Sequence, residues 1–210
     1  MEKILSKINI FIFLLISSIN HIYAEDLRDF KVGAKIDTVP ERGYVNIRCE
    51  DKKEITKWTD FKECKKNSIS NLHILKFEYD ERFAVTEEYE GTQVSGHPVL
   101  INIAVDGNGI IQEINIYTDP KAPFYFRKQA HLLWLRVHSK YGSQGWDCID
   151  EVPEKNHIKI GKKYINHTCV KSIENKLITI QTQFYFIGDK SSRDNLVSKS
   201  YLQIKFDNKA

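Results

Sequence analysis

The four cysteines of this chain, Cys49, Cys64, Cys148 and Cys169, carry its most definite chemistry. An even cysteine count is typical of disulfides in exported proteins. Four cysteines allow three pairings, and we favour Cys49–Cys64 with Cys148–Cys169 because each pair closes a short local loop. A metal site is the alternative, but zinc motifs bring Cys-x-x-Cys or a tight Cys/His cluster, and only His167 lies near a cysteine here. We therefore predict two disulfides, no metal site and no cofactor.

His97 is the candidate for acid–base chemistry. It lies in a Gly-containing segment just before a predicted strand, where a functional side chain is easily presented. The nearest nucleophile, Ser95, is two residues away, a spacing that seldom places a nucleophile and its base in contact. The chain contains no Gly-x-Ser-x-Gly, phosphate loop or dinucleotide fingerprint. His97 is thus a catalytic base only if a carboxylate approaches it in space, and otherwise a hydrogen-bonding loop residue.

The segment Asp106-Gly-Asn-Gly109 begins like a calcium loop. An EF-hand would need oxygen ligands where Ile110 and Tyr117 stand, so the calcium interpretation fails. The same residues are typical of a hairpin turn. We predict that the turn joins strands Val99–Val105 and Ile110–Tyr117, with Val105 opposite Ile110.

A second predicted hairpin pairs Tyr164–Ile173 with Lys176–Phe186 through a two-residue turn. This register sets Cys169 opposite Ile180. Alternating apolar residues predict further strands over Tyr44–Cys49, Leu72–Tyr79 and Leu202–Phe206.

One long helix is predicted from Pro123 to about Tyr141, with Gly142 as its C-terminal stop. About six strands with one long helix predict an α+β domain, in which the helix packs on a mostly antiparallel sheet. All charged residues of the helix are basic. We favour a solvated face, since Lys and Arg stems commonly cover apolar surface, and an anionic partner is the alternative. The basic residues are Arg127, Lys128, Arg136 and Lys140.

Residues 1–24 are laid out like a cleaved signal peptide. Lys3 and Lys7 precede the apolar stretch Ile8–Ile19, and Ala24 stands before the expected cut. An uncleaved anchor is the alternative, but spanning a membrane needs about 20 apolar residues. The rest of the chain, residues 25–210, contains no linker, so we predict one periplasmic or secreted domain without a transmembrane segment. The net charge of +3, from 31 basic and 28 acidic residues, does not favour nucleic acid.

Of the three tryptophans, Trp134 lies in the predicted helix, and Trp58 and Trp146 are predicted to be core residues. Two of them lie near cysteines, where packing on a disulfide is common. Stacking on carbohydrate is the alternative, and exposed aromatic patches would mark it.

Three segments together resemble small exported proteins of alphaproteobacteria that have no assigned function. They are Gly91-Thr-Gln-Val-Ser-Gly-His-Pro-Val-Leu100, Arg127-Lys-Gln-Ala-His-Leu-Leu133 and Tyr141-Gly-Ser-Gln-Gly-Trp-Asp-Cys148. The resemblance implies a periplasmic setting and carries over no functional residue.

These observations favour a non-enzymatic binding or envelope-associated module, whose partner is an unidentified envelope protein or ligand. The alternative is a periplasmic hydrolase that uses His97 with a carboxylate adjacent in space. A concave pocket that holds both groups would favour the enzyme.

Overall fold

A computed structural model describes residues 26–80, 91–123, 125, 130–188 and 192–207. Within these residues ten strands form one antiparallel sheet, and one helix is longer than seven residues. The strands are β1 Tyr44–Cys49, β2 His73–Tyr79, β3 Gln93–Val94, β4 His97–Val105, β5 Ile111–Thr118, β6 Asp147–Asp150, β7 His157–Ile158, β8 Ile165–Ile173, β9 Lys176–Ile187 and β10 Leu196–Phe206, and the helix is α1, Ala130–Tyr141.

The predicted fold class, α+β with one long helix, is wrong, because the protein is nearly all-β. Three additional strands, β3, β6 and β7, have two to four residues each. Strands of that length are too short to show apolar alternation, so the sequence pattern does not reveal them. The described helix has 12 residues. Residues 126–129 of the predicted helix lie outside the described residues.

The strand order is β1-β2-β4-β5-β10-β9-β8-β6, with β3 paired to β4 and β7 paired to β9. The last strand, β10, lies between β5 and β9 and joins the two halves of the chain in one sheet. Helix α1 connects β5 to β6 and packs against β4, β9 and β10.

The register of the second hairpin is confirmed. Cys169 lies opposite Ile180, and Ile165 lies opposite Phe184. The turn holds Glu174 at a φ of 52°, in the left-handed region that short hairpin turns use.

The register predicted for the first hairpin is wrong by one residue at Val105 and by two residues from Ala104 back to Val99. Val105 lies opposite Ile111, not Ile110, and Ile103 lies opposite Ile114. An irregularity between Ala104 and Val105 leaves one extra residue, Gln112, on β5, and this increases the shift from one residue to two. Where the shift is two, the side chains stay on their predicted faces, because the side-chain period of a strand is two. At Val105 the shift is one, and Ile111 is buried in place of Ile110.

The turn of this hairpin is confirmed as a turn. The Asp106 carboxylate accepts hydrogen bonds from the backbone N–H groups of Asn108, at 2.8 Å, and Ile110, at 3.0 Å. Gly109 has a φ of 83°, which favours glycine. The aspartate thus closes the turn as an Asx residue.

One face of the sheet, the inner face, carries the core. Apolar side chains at alternate positions of β2, β4, β5, β9 and β10 are buried there, and each contributes about 1.5–3 kcal/mol. An aromatic cluster from the N-terminal half covers one end: Phe30 stacks on Phe77 at 4.8 Å between ring centroids, and Trp58 meets Phe77 edge-on at 5.3 Å. Leu133 and Val137 of α1 are buried on the same side of the sheet.

A buried ion pair ties the first described residue to this core. Asp26 Oδ1 lies 2.7 Å from Lys176 Nζ and accepts a hydrogen bond from the Tyr141 hydroxyl at 3.2 Å. Its other oxygen accepts the backbone N–H of Val32 at 2.8 Å. Burial and the Asp26 carboxylate raise the pKa of Tyr141, so its hydroxyl stays a hydrogen-bond donor.

Both predicted disulfides are confirmed, Cys49–Cys64 and Cys148–Cys169. The first is buried in the core, and the second links directly opposite residues of β6 and β8. They are consistent with an exported protein. No helix within the described ranges has the length and apolarity needed to cross a membrane. The predicted signal peptide, residues 1–24, lies outside the described residues.

Candidate binding face

His97 is the first residue of β4, and a tight turn from β3 sets its position. Ser95 and Gly96, with φ angles of 54° and 73°, form the turn, and Val94 pairs with His97 across it. The strand alternation places His97 on the inner face together with Val99, and its exposed fraction is 0%.

The His97 side chain contacts the neighbouring strand β5. Its Nε2 lies 2.9 Å from the hydroxyl of Thr118, which also accepts the backbone N–H of Ser200 at 2.7 Å. Its Nδ1 has no hydrogen-bond partner among the described residues. Burial lowers the pKa of His97 to about 4, so the imidazole is neutral at neutral pH. Among the described residues no carboxylate is in hydrogen-bond contact with His97, and the hydrolase alternative stays a prediction.

The predicted anionic-partner face of the helix is only partly described. Arg127 and Lys128 lie outside the described residues. Arg136 is exposed on α1, whereas Lys140 donates a hydrogen bond to the backbone oxygen of Asp26 at 2.8 Å. Lys140 thus helps to hold Asp26 against the helix, and the anionic contact stays a prediction.

The tryptophans do not form an exposed platform within the described chain. Trp58 is buried in the aromatic cluster, as predicted. Trp134 and Trp146 are partly buried and enclose His138, with ring centroids 3.8 and 5.0 Å from the imidazole. Burial, with Lys171 and His167 nearby, lowers the pKa of His138.

The opposite side of the sheet, the outer face, carries a different set of side chains. One row of directly opposite residues crosses four neighbouring strands, β4, β5, β10 and β9. We name it the tyrosine row, and it consists of Leu100, Tyr117, Tyr201 and Gln181. Two residues further along the strands lies a parallel row, the amide row, which consists of Lys76, Asn102, Asn115 and Gln203.

Two tyrosines stack at the centre of the tyrosine row. The rings of Tyr117 and Tyr201 are 4.9 Å apart and 21° from parallel, which is an offset stack. Tyr117 is 39% exposed and the adjacent Leu100 45% exposed. Burial, Tyr117 and Glu113 raise the pKa of Tyr201, which keeps its hydroxyl protonated.

The amide row forms a connected hydrogen-bond network. Asn115 Oδ1 accepts from the Tyr201 hydroxyl at 2.9 Å and from Gln203 Nε2 at 3.1 Å. Asn115 Nδ2 in turn donates to Asn102 Oδ1 at 3.0 Å. These bonds fix the orientation of the amides, so the face is organised in advance of any ligand.

Two hollows flank the tyrosine stack. A broad hollow of about 800 Å³ lies over the amide row, and a smaller one of about 500 Å³ lies toward Gln183 and Lys199. Leu100, Tyr117 and Tyr201 line both, so the two hollows adjoin at the stack, and we name the two together the groove. His97 does not line either hollow.

The groove is electrically balanced. Two of its acids are neutralised at close range: Glu78 lies 3.1 Å from Arg48, and Glu113 lies 3.2 Å from Lys205. Four basic and four acidic side chains line the two hollows, namely Arg48, Lys76, Lys121 and Lys199 with Glu50, Glu78, Glu113 and Asp119.

Sequence reasoning missed this face because each of its residues looks like an ordinary solvated side chain. The face could be recognised only from the positions of its residues on the strands. Amides and tyrosines share the outward positions of three neighbouring strands, Asn115 with Tyr117, Tyr201 with Gln203, and Gln181 with Gln183. That coincidence is visible only once the strand order is known, since β10 is far from β5 in sequence.

Among the described residues, no three His, Cys, Asp or Glu side chains come together as a metal site. No family model, no curated protein and no solved structure matches this chain.

Proposed function

We propose that the protein is an exported, non-enzymatic binding module that attaches to the cell envelope through the outer face of its sheet. The observation that carries the proposal is the tyrosine row beside the amide row, held in fixed orientation over the broad hollow of about 800 Å³. Ligand sites typically combine an apolar platform with a few well-placed polar groups, and this face has both.

The supposed export route fits the buried start of the domain. Cleavage after Ala24 would leave one residue before Asp26, whose carboxylate is paired inside the core. The two disulfides would form in the same oxidising compartment. The periplasm is therefore the proposed location.

Co-sedimentation with isolated bacterial envelopes tests this function. Wild-type protein should sediment with the envelopes, and the double variant Tyr117→Ala/Tyr201→Ala should stay in the supernatant. Leu135→Ala is the matched control, because it removes an exposed apolar side chain from α1, on the other side of the sheet. All variants should show the unfolding midpoint expected of a folded protein before they are compared.

Equal sedimentation of wild type and double variant would reject the outer face as the attachment surface. Release of soluble fragments from the envelopes, abolished by His97→Ala in a folded protein, would reject the binding module in favour of the hydrolase.

A further inference from the structure

We propose that the ligand of the outer face is an uncharged, extended oligosaccharide that lies across the strands, over the stacked tyrosines. The inference rests on the proposed binding function and adds the chemical class of the ligand. Three properties of the groove support it: the aromatic platform, the free amides and the charge balance.

The tyrosine stack, with Leu100 beside it, provides an aromatic and apolar surface on the outer face. A pyranose presents C–H groups on one side, and these pack on the electron-rich face of an aromatic ring. In the stack, Tyr201 covers one face of Tyr117, so the sugar would pack on the other face of Tyr117. Leu100 and Tyr117 expose 45% and 39% of their surface at this point, enough to receive such a ring. Because Tyr201 donates its hydroxyl to Asn115 at 2.9 Å, the platform is held in place.

The amides around the platform match the hydroxyl groups of a sugar. A carboxamide offers both donors and an acceptor, and a hydroxyl does the same, so the two pair in either direction. Within the described chain, the side-chain amide of Gln181 has no hydrogen-bond partner, and the Nδ2 of Asn102 has none either. These two groups lie on the strands that flank the tyrosine stack, Gln181 on β9 and Asn102 on β4, where each can pair with a hydroxyl.

The charge balance points to an uncharged ligand. Four basic and four acidic side chains line the groove. The attraction of an anionic chain to the basic side chains would therefore be offset by its repulsion from the acidic ones. A polar chain without charge meets no such opposition. The face also spans five strands, β2 to β9, or roughly 19 Å at the usual strand spacing of about 4.8 Å, which suits a short oligomer rather than one sugar.

Titration calorimetry with defined oligosaccharides tests the proposal on the purified, oxidised protein. The probes are tetrasaccharides of glucose, mannose, galactose and N-acetylglucosamine, with tetragalacturonate as the acidic comparison. At least one neutral tetrasaccharide should bind, and its affinity should not change between about 50 and 500 mM NaCl, because screening acts only on charges. Tyr117→Ala should weaken binding about tenfold, whereas Tyr117→Phe, which keeps the ring, should bind within about twofold of wild type.

The outcomes separate this inference from the binding function beneath it. The neutral ligand would be overturned if only the acidic tetrasaccharide bound and its affinity depended strongly on salt. If attachment to the envelope still needed the tyrosines, the binding function would remain intact. Attachment without binding of any tetrasaccharide would overturn the saccharide class. A concentration-dependent dimer that Tyr117→Ala dissociates would overturn it also, since a second copy would then occupy the face.

Discussion

The two faces of the sheet are built from the same strands, yet they differ in what their side chains do. On β4, Ile103 is fully buried in the core, while Leu100, three residues earlier, is 45% exposed beside the tyrosine stack. The inner face gains its stability from removal of apolar area from water. The outer face aligns polar groups by hydrogen bonds around Asn115 and leaves Leu100 and Tyr117 beside them exposed to solvent. Removing a side chain should therefore affect stability on one face and binding on the other.

The contrast is sharpest between two ion pairs, one on each face. Asp26 and Lys176 expose 1% and 9% of their side chains, whereas Glu113 and Lys205 expose 15% and 52%. Asp26→Asn should lower the free energy of unfolding by about 3–5 kcal/mol, because it leaves a buried ammonium without its counter-charge. Glu113→Gln should cost at most about 1 kcal/mol, since a solvated pair contributes little. Urea unfolding at neutral pH measures both.

A double variant controls for the change of shape. Asp26→Asn with Lys176→Met removes both charges and should recover part of the lost stability, since no charge is then buried alone. A double variant no more stable than Asp26→Asn would show that the pairing of charges is not what stabilises this corner.

A pair of apolar truncations on β4 gives the next largest difference. Ile103→Ala should cost about 2–5 kcal/mol, because it removes buried methylenes and leaves a cavity. Leu100→Ala should change stability by less than about 1 kcal/mol, because its side chain is partly solvated already. Chemical unfolding of the two variants under identical conditions checks this prediction. Equal losses would mean that the outer face is as closely packed as the core.

The inner face was largely predictable from sequence, and particular residues show why. The predicted pairing of Cys169 with Ile180 is confirmed, because a two-residue turn at Glu174 allows only one register. The predicted pairing of Val105 with Ile110 is wrong, because apolar alternation does not reveal the irregularity between Ala104 and Val105. The predicted cysteine pairing is confirmed, because each disulfide joins residues that are close in sequence.

The outer face was not predictable, for a physical reason. Tyr117 and Tyr201 are 84 positions apart along the chain, and they meet only because β10 inserts between β5 and β9. Local patterns specify strands and turns, but the choice of a neighbouring strand depends on long-range packing. His97, in contrast, lay in a recognisable turn, but its burial depends on packing that its local sequence does not reveal.

The histidine also offers a test of inner-face burial that depends on pH. Its pKa is lowered by burial from 6.5 to about 4, so as pH falls the unfolded chain takes up the proton first. Stability that is present above pH 6.5 is therefore lost as pH falls toward 4, by roughly 2 kcal/mol between pH 7.5 and pH 5. His97→Gln should lose about 2 kcal/mol less than wild type over that interval, in urea unfolding at the two pH values. Parallel losses would mean that the imidazole is as accessible to protons in the folded protein as in the unfolded chain.

The smallest effect on stability should come with a clear effect on binding. Gln181 completes the tyrosine row but has no hydrogen-bond partner among the described residues, so Gln181→Ala should change the free energy of unfolding by no more than about 0.5 kcal/mol. The same variant should weaken binding of a neutral tetrasaccharide roughly threefold to tenfold, the loss of one neutral hydrogen bond. Calorimetry and urea unfolding on one preparation separate the two quantities. If Gln181→Ala changes neither stability nor affinity, the amide of Gln181 takes no part in ligand binding. If it lowers only the affinity, the outer face is organised for its ligand.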